Sequence, residues 1–274
     1  MNGYLKQGVE RDGLALALHV QDGEGPCVVF QHGLCGDASQ PADVFPRDCT
    51  ARHVVLDCRG HGESDAGPLD ALSIATFTDD LAAAIESLGA GPCIVGGISM
   101  GAAMSLRLAC TKPDLVCGLV LARPAWGCEI APANMRPNLE VGEFLACEET
   151  PDERDVFLAS DTGRRLANEA PDNLASLSGF FSRRPRDVTA TLLTRISRDG
   201  PGVTEAQVAS LELPVLVIGH EEDVIHPMAL ARHLAGLIPG ARLAEIPPKA
   251  SDKAGYRAMF RRELGRFITE ILHA

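Results

Sequence analysis

One serine lies in a sequence pattern typical of an activated nucleophile. Ser99 is the centre of residues 97–101, Gly-Ile-Ser-Met-Gly, which follow the apolar residues 92–96 and precede the helix-forming residues 102–108. A strand that turns this tightly into a helix strains the backbone at the serine, and glycines two positions away on either side avoid clashes with the neighbouring chain. We therefore expect a strand-to-helix turn that exposes the Ser99 hydroxyl.

Three further segments complete a resemblance to a known superfamily. Residues 30–36 read Phe-Gln-His-Gly-Leu-Cys-Gly, residues 56–64 contain Asp-x-Arg-Gly-x-Gly-x-Ser, and residues 219–227 run from a glycine through Asp223 to a proline. Together with the serine pentad, and in this order, they resemble the α/β-hydrolases, in particular the branch of 3-oxoadipate enol-lactonase-like small-molecule esterases. The resemblance extends from about residue 14 to the last predicted helix.

The resemblance implies roles for individual residues. Ser99 would be the nucleophile, Asp223 the acid of a catalytic triad, and the backbone amides of Leu34 and Met100 the oxyanion hole. The segment 56–64 is architectural in such proteins, and His32 and His61 are interpreted as structural. The superfamily's hydrolases need no cofactor and no metal, and we expect none here.

The triad histidine is where the sequence departs from the family. Its members carry a histidine in the turn after the strand predicted at residues 241–246, but here the corresponding residue is Ser251. No histidine occurs between His233 and His273, and His273 lies at the end of the last helix. A serine hydroxyl is a weak nucleophile until an adjacent base takes its proton, so the source of that base is open.

Four interpretations of this departure remain. His220 or His226, on either side of Asp223, acts as the base, although the first also ends a strand and the second also lies beside a helix start. Alternatively Lys249 or Lys253 deprotonates the serine or binds an anionic substrate, unless both are solvated. The serine and oxyanion hole could also act on an activated substrate without a full triad, or the fold could bind or cleave a ligand without ester hydrolysis.

The remaining sequence predicts an α/β fold, a mostly parallel sheet covered by helices on both faces. Strands are predicted at residues 14–20, 26–31, 52–57, 92–97, 117–122, 213–219 and 241–246, and helices at 73–88, 99–111, 228–237 and 256–272. Because the motif residues follow strands, the site should lie at the carboxyl ends of the sheet.

Residues 126–211 lack this strand pattern and are predicted to form a helical cap inserted into a core of residues 1–125 and 212–274. Helices are expected at 151–169, 171–183 and 187–197. A cap of this kind sets the size of the substrate and excludes water. Trp126, the only tryptophan, should lie at the hinge and either line the pocket or pack the cap.

Composition excludes several classes of partner. The formal net charge of -12 disfavours nucleic acid and anionic membranes, and no apolar run is long enough to cross a bilayer. Nine cysteines without a Cys-x-x-Cys pair, and a polar beginning of the chain, favour reduced thiols and a cytoplasmic location. The sequence leaves the oligomeric state open.

These observations predict a hydrolase that cleaves a small carboxylic ester, lactone or thioester through Ser99. The alternatives are a catalytically weakened ligand-binding or regulatory protein with the same fold, and a cofactor-free lyase or acyl transferase that uses the same oxyanion hole.

Overall fold

A computed structural model describes residues 3–23 and 25–273. Its centre is an eight-stranded sheet with the order β1-β2-β4-β3-β5-β6-β7-β8, in which β2 runs antiparallel to both of its neighbours and all other pairs are parallel. The strands are β1 (Tyr4–Arg11), β2 (Leu14–Gln21), β3 (Cys27–Gln31), β4 (Arg52–Leu56), β5 (Cys93–Ile98), β6 (Val116–Ala122), β7 (Val215–Gly219) and β8 (Arg242–Glu245). The predicted mostly parallel α/β sheet is confirmed.

Helices cover both faces of this sheet. Those of the core are α1 (Ser39–Val44), α2 (Ile74–Leu88), α3 (Met100–Thr111), α10 (Met228–Leu237) and α11 (Lys253–Leu272). The strands between them are buried on both sides, so their side chains alternate between two cores. Val28 and Phe30 of β3 pack with α11, whereas Val29 belongs to the larger core with α2 and α3.

The boundaries of α2 follow from its sequence. The Ser73 hydroxyl accepts a hydrogen bond from the Thr76 amide at the first turn, and Gly89 ends the helix in the left-handed region with φ 58°. Serine at the N-cap and glycine after the last turn are the residues that these positions favour, because they satisfy free amides and tolerate positive φ.

Strand β1 was not predicted. Most of its side chains are exposed because it forms the edge of the sheet, so no apolar run marks it. The signal that could have found it is Asp12-Gly13, whose φ angles of 54° and 76° make the tight turn to β2. Asp-Gly between two extended segments is a strong indicator of a hairpin.

Six helices lie between β6 and β7, where the cap is predicted. They are α4 (Arg136–Ala146), α5 (Glu153–Leu158), α6 (Asp161–Glu169), α7 (Pro171–Phe180), α8 (Arg186–Ser197) and α9 (Glu205–Ala209). Helices α4 and α9 were not predicted. The side chains of Phe144, Phe157 and Phe181 meet in the interior of this segment, with ring centroids 5.7–6.3 Å apart.

Candidate active site

Ser99 lies at a strained turn between β5 and α3. Its φ of 57° and ψ of −110° are unusual for a residue with a side chain, a conformation that costs on the order of 1–3 kcal/mol. The flanking glycines allow a close approach of backbones: a Cβ atom on Gly101 would lie 2.7 Å from the carbonyl oxygen of Gln31, and one on Gly97 would lie 2.6 Å from the carbonyl carbon of Gly101. The expected turn is therefore present, and glycine is required on both sides of the serine.

The loop after β3 leaves one backbone amide free beside this turn. The amide of Gly33 donates to Gln40 Oε1 at 2.6 Å, that of Cys35 to His61 Nε2 at 3.0 Å, and that of Gly36 to the Gly33 carbonyl at 3.0 Å. Between them, the amide of Leu34 has no acceptor among the described residues. An unpaired amide in a loop held this firmly is available to a ligand.

A second free amide comes from α3. Met100 is the first residue of the helix, and its amide likewise has no acceptor in residues 3–23 and 25–273. The amino end of a helix carries partial positive charge, which favours a developing anion. The loop of Leu34 is packed against the serine, since a Cβ on Gly33 would lie 3.3 Å from Ser99 Cβ.

Asp223, after β7, is buried, and both of its carboxylate oxygens have hydrogen-bond partners. Arg123, at the end of β6, donates from Nε and Nη2 to Asp223 Oδ2 at 2.9 and 2.7 Å. Burial alone would raise the pKa of Asp223, but the charge of Arg123 and the hydrogen bond from His226 hold it well below its ordinary value. The carboxyl group is therefore an anion that can orient a neighbouring donor.

His226 is the histidine that Asp223 orients. Its backbone amide and its Nδ1 lie 3.0 and 2.9 Å from Asp223 Oδ1. Nδ1 also lies 3.0 Å from Asp223 Oδ2 and 3.3 Å from Arg123 Nη2. Because both carboxylate oxygens are closer than the guanidinium nitrogen, and an ionised carboxylate only accepts hydrogen bonds, we assign the proton to Nδ1, which leaves Nε2 with its lone pair. The side chain lines the same cavity as Ser99. Burial lowers the pKa of His226, against the opposing charge of Asp223, so the ring is neutral at neutral pH.

His220 does not share this position. It is 2% exposed, packs edge-on against Tyr256, and does not line the cavity beside Ser99. Its Nδ1 contacts the carbonyl of Glu221 at 2.6 Å, and its Nε2 lies 3.5 Å from Asp223 Oδ2. Of the two candidate bases, the structure brings only His226 to the cavity.

The turn after β8 places a lysine at the site. Lys249 lines the cavity, and its Nζ lies 3.0 Å from Asp172 Oδ2 at the start of α7. Ser251, in contrast, is exposed, and Lys253 is the first residue of α11. Ser251 is therefore not in the wall of the cavity, and Lys249 is paired with a carboxylate of α7.

These residues surround a cavity of about 260 Å³, small for a ligand site. Its polar wall contains Gln40, Ser99, Arg123, Asn138, Asn173, Ser176, His226 and Lys249, and its apolar wall Leu34, Ile98, Leu177, Phe180 and Ile225. Helices α4 and α7 thus supply part of the site.

Trp126 was expected either to line the pocket or to pack the cap, and it is not among the residues that line this cavity. The side chain is 1% exposed, and its indole donates to the carbonyl of Asp199 at 3.0 Å. Its large ring therefore packs the junction of cap and core, where its polar N–H also finds a partner.

Sequence reasoning missed the polar residues that the cap contributes. Asn173 of α7 is 3% exposed, and its Oδ1 accepts the amides of Val224 and Ile225 at 2.9 and 3.1 Å, next to Asp223. Asn138 of α4 also faces the cavity. No motif marks either residue. Arg123 did have a usable signal, because it follows β6 at the carboxyl edge of the sheet.

His32 and His61 are buried and bonded to backbone groups around the loop of Leu34. In each ring Nδ1 contacts a backbone carbonyl at 2.9 Å, that of Gly33 for His32 and that of Arg59 for His61. Nε2 then accepts a backbone amide, from Cys58 at 3.1 Å and from Cys35 at 3.0 Å. Burial lowers the pKa of both rings, which are therefore neutral at neutral pH.

This arrangement predicts a loss of stability in acid. The unfolded chain protonates these histidines below a pH of about 6.5, but the folded chain resists protonation because Nε2 faces an amide N–H. The contribution of these two histidines to the free energy of unfolding is therefore fully present above that pH and is lost as the pH drops below it. We expect the melting temperature to decline between pH 6.5 and 5, and His61→Gln to reduce that slope. The exposed His233→Gln is the matched control; an equal slope in both variants would contradict the assignment.

None of the helices in the described residues is long and apolar enough to cross a membrane. The same residues contain no group of three or more His, Cys, Asp or Glu side chains arranged to hold a metal ion.

The fold and this site define an α/β hydrolase. The chain belongs to the α/β hydrolase fold family, whose sequence model matches residues 26–250. It is 30% identical over 234 residues to RutD of Pseudomonas savastanoi pv. phaseolicola, whose name assigns carbamate hydrolysis provisionally, with 81% of this chain and 85% of that protein covered.

Two other proteins illustrate the range of relatives. The sn-1-specific diacylglycerol lipase ABHD11 of Mus musculus is 30% identical over 189 residues, which span 62% of this chain and 59% of the lipase. The crystal structure of the enol-lactonase from Burkholderia xenovorans LB400 superimposes with a TM-score of 0.71 at 21% identity, covering 98% of this chain and 100% of that one. The latter likeness concerns the fold.

Proposed function

We propose that the protein hydrolyses a small carboxylic ester, lactone or thioester, with Ser99 as the nucleophile and His226 as its base. One observation carries the proposal: His226 is hydrogen-bonded through Nδ1 to Asp223 and lines the same cavity as Ser99. The base is thus supplied three residues after the acid instead of from the turn after β8.

The proposed reaction begins with transfer of the Ser99 proton to His226 Nε2. Ser99 Oγ has no hydrogen bond to a described residue, and a general base can take the proton either directly or through one water. The serine oxygen attacks the acyl carbon, and the carbonyl oxygen becomes an oxyanion. This oxyanion accepts hydrogen bonds from the free amides of Leu34 and Met100. The imidazolium then protonates the leaving group, and water releases the acyl group by the reverse sequence.

Arg123 would keep Asp223 ionised during this cycle. Its two hydrogen bonds are to Oδ2, while the amide of His226 donates to Oδ1 and Nδ1 lies 2.9 and 3.0 Å from Oδ1 and Oδ2, so the carboxylate has little capacity left for a further histidine. This arrangement is consistent with the absence of a histidine at position 251. The positive charge of Arg123 also lowers the pKa of His226, after the larger effect of burial, and favours the neutral base.

The proposed substrate class rests on the size of the site and on the relatives. A cavity of about 260 Å³ admits a small molecule. The relatives' names refer to a diacylglycerol ester, a carbamate and an enol-lactone, all of which have an acyl carbon open to attack. The nine free thiols and the net charge of -12 support the further proposal of a cytoplasmic enzyme with no nucleic-acid or membrane partner.

A labelling and turnover experiment tests this proposal. The wild-type protein is expected to hydrolyse p-nitrophenyl acetate and to form a covalent adduct with a fluorophosphonate, located at Ser99 by peptide mass spectrometry. Saturable turnover together with a Ser99 adduct would support it. Neither adduct nor turnover, or an adduct elsewhere in the chain, would overturn it.

A ligand-binding protein without turnover is the second candidate. It is favoured because Ser99 Oγ makes no hydrogen bond within the part of the chain that the structure describes, and because Ser251 is exposed. Such a protein would bind small acyl compounds in the same cavity but would give no product in the experiment above.

A further inference from the structure

The acid and the proposed base lie on one short turn of the chain. Asp223 and His226 are three residues apart, between the end of β7 and the start of α10. The carboxylate and the imidazole therefore depend on a single backbone conformation, that of residues 223–226. Whatever fixes this conformation also fixes the direction of the His226 ring.

Side chains hold the amides of this turn. Those of Val224 and Ile225 both donate to Asn173 Oδ1, at 2.9 and 3.1 Å. The amide of His226 donates within the turn, to Asp223 Oδ1 at 3.0 Å. No backbone carbonyl in the described residues accepts a hydrogen bond from any of the three. Because buried amides need partners, two of the three depend on one asparagine.

A second asparagine holds the carbonyl side of the turn. Asn134 Nδ2 donates to the carbonyl of Ile225 at 2.6 Å and to that of Ala125 at 2.8 Å. Asn134 and Asn173 both belong to the segment between β6 and β7. This segment therefore holds the turn of residues 223–226 on its amide side and on its carbonyl side.

Asn173 itself has little freedom to move. It is 3% exposed and is the third residue of α7, directly after Asp172, whose carboxylate pairs with Lys249 at 3.0 Å. Its Oδ1 has two lone pairs, and the two amides use both. The fixed position of this oxygen therefore also fixes the two peptide groups between the acid and the base.

We propose that Asn173 is a positioning residue for the general base, which holds the turn of residues 223–226 so that His226 stays hydrogen-bonded to Asp223 and lines the cavity of Ser99. This inference rests on the proposed function, since it takes His226 as the base. Asn173 would change the rate only through the imidazole, and not by binding substrate.

A double-mutant cycle tests this role. Asn173→Leu keeps the branched shape of the side chain but removes the acceptor. We expect it to lower kcat/KM for p-nitrophenyl acetate about 10- to 100-fold, the effect typical of a misplaced catalytic group. In a His226→Ala background the same change should cost less than about 2-fold, since no base is left to misplace. An equal loss in both backgrounds is the result expected of a purely structural or substrate-binding asparagine, and it would overturn the proposal.

Asn173→Asp is the conservative variant, because a carboxylate oxygen accepts the same two amides. We expect it to recover most of the activity that Asn173→Leu loses. Ser178→Ala, on the same helix, is the matched control, since this buried hydroxyl donates to the carbonyl of Leu174 within α7. It should keep the wild-type rate. Activity as low in Asn173→Asp as in Asn173→Leu counts against the proposal.

The tautomer of His226 gives a readout that needs no turnover. NMR of the histidine ring nitrogens, at a pH of about 8 where the ring is neutral, distinguishes Nδ1–H from Nε2–H. We expect His226 to carry its proton on Nδ1 in the wild type and in Asn173→Asp, and to be a mixture of both tautomers in Asn173→Leu. The signal is assigned by its loss in His226→Ala.

This comparison separates the inference from the proposed function. If no ester is cleaved, the proposed function fails, but the tautomers of the three proteins still show whether Asn173 orients the ring. The same tautomer in the wild type and in Asn173→Leu would overturn the positioning role, even in a protein with full turnover.

Discussion

Ser99→Ala is expected to abolish ester hydrolysis, with kcat/KM reduced by about 10⁴-fold or more, because the substitution removes the hydroxyl that attacks the acyl carbon. The fold should be unchanged, since the serine hydroxyl makes no hydrogen bond to a described residue. Turnover of p-nitrophenyl acetate and the melting temperature are the two measurements. The exposed Ser87→Ala on α2 is the control for the substitution itself.

Ser99→Gly provides a sharper version of this test. Glycine also lacks the hydroxyl, but it adopts a φ of 57° without steric cost. We expect it to be inactive and to melt roughly 2–4 °C above Ser99→Ala, a difference of about 1 kcal/mol in a domain of this size. Wild-type turnover in either variant would rule out Ser99 as the nucleophile.

His226→Ala is expected to have the second largest effect, a loss of about 10²–10⁴-fold in kcat, the contribution typical of a general base. Added imidazole should restore part of the rate, because the cavity that the side chain leaves is adjacent to Asp223. Asp223→Asn should lower the rate as well, since an asparagine no longer fixes the proton on Nδ1.

His220→Gln is the matched comparison, because this buried histidine does not line the cavity. Its turnover, corrected for any change in folded fraction, should stay near that of wild type. A large loss in His220→Gln together with a wild-type rate in His226→Ala would reverse the assignment of the base.

The pH profile of kcat/KM gives an independent check. A general base works only when it is unprotonated, so the rate should fall in acid with the pKa of that base. Since burial lowers the pKa of His226, that fall should occur below a pH of about 6.5. A rate that falls already as the pH drops from 9 to 7 would indicate a different base, such as a lysine with a lowered pKa.

The parts of the site that are local in sequence could be predicted. The backbone at Ser99 and the loop of Leu34 follow from glycines and strand ends within a few residues, where steric limits determine the conformation. The fold follows likewise from apolar strands alternating with helices. Strand β1 was not predicted because an exposed edge strand needs no apolar pattern, although the Asp-Gly turn that follows it is visible in the sequence.

The contacts between distant segments could not be predicted. Arg123 and Asp223 are 100 residues apart, and neither residue type reveals that the two pair. The sequence left His220 and His226 as equal candidates, because the direction of a side chain at the end of a strand depends on the packing of the whole loop. Asn138 and Asn173 reach the site only because the cap folds back over it.

The strained backbone at Ser99 also bears on how the sequence can drift over generations. A mutation to glycine at this position would relax the turn and stabilise the folded chain. Without selection for the hydroxyl, the serine would therefore be readily replaced by glycine. The same does not hold for Gly97 and Gly101, where any side chain meets backbone atoms. A descendant that had become a pure binder would therefore be recognisable by glycine at position 99 between two retained glycines, whereas this chain keeps its serine.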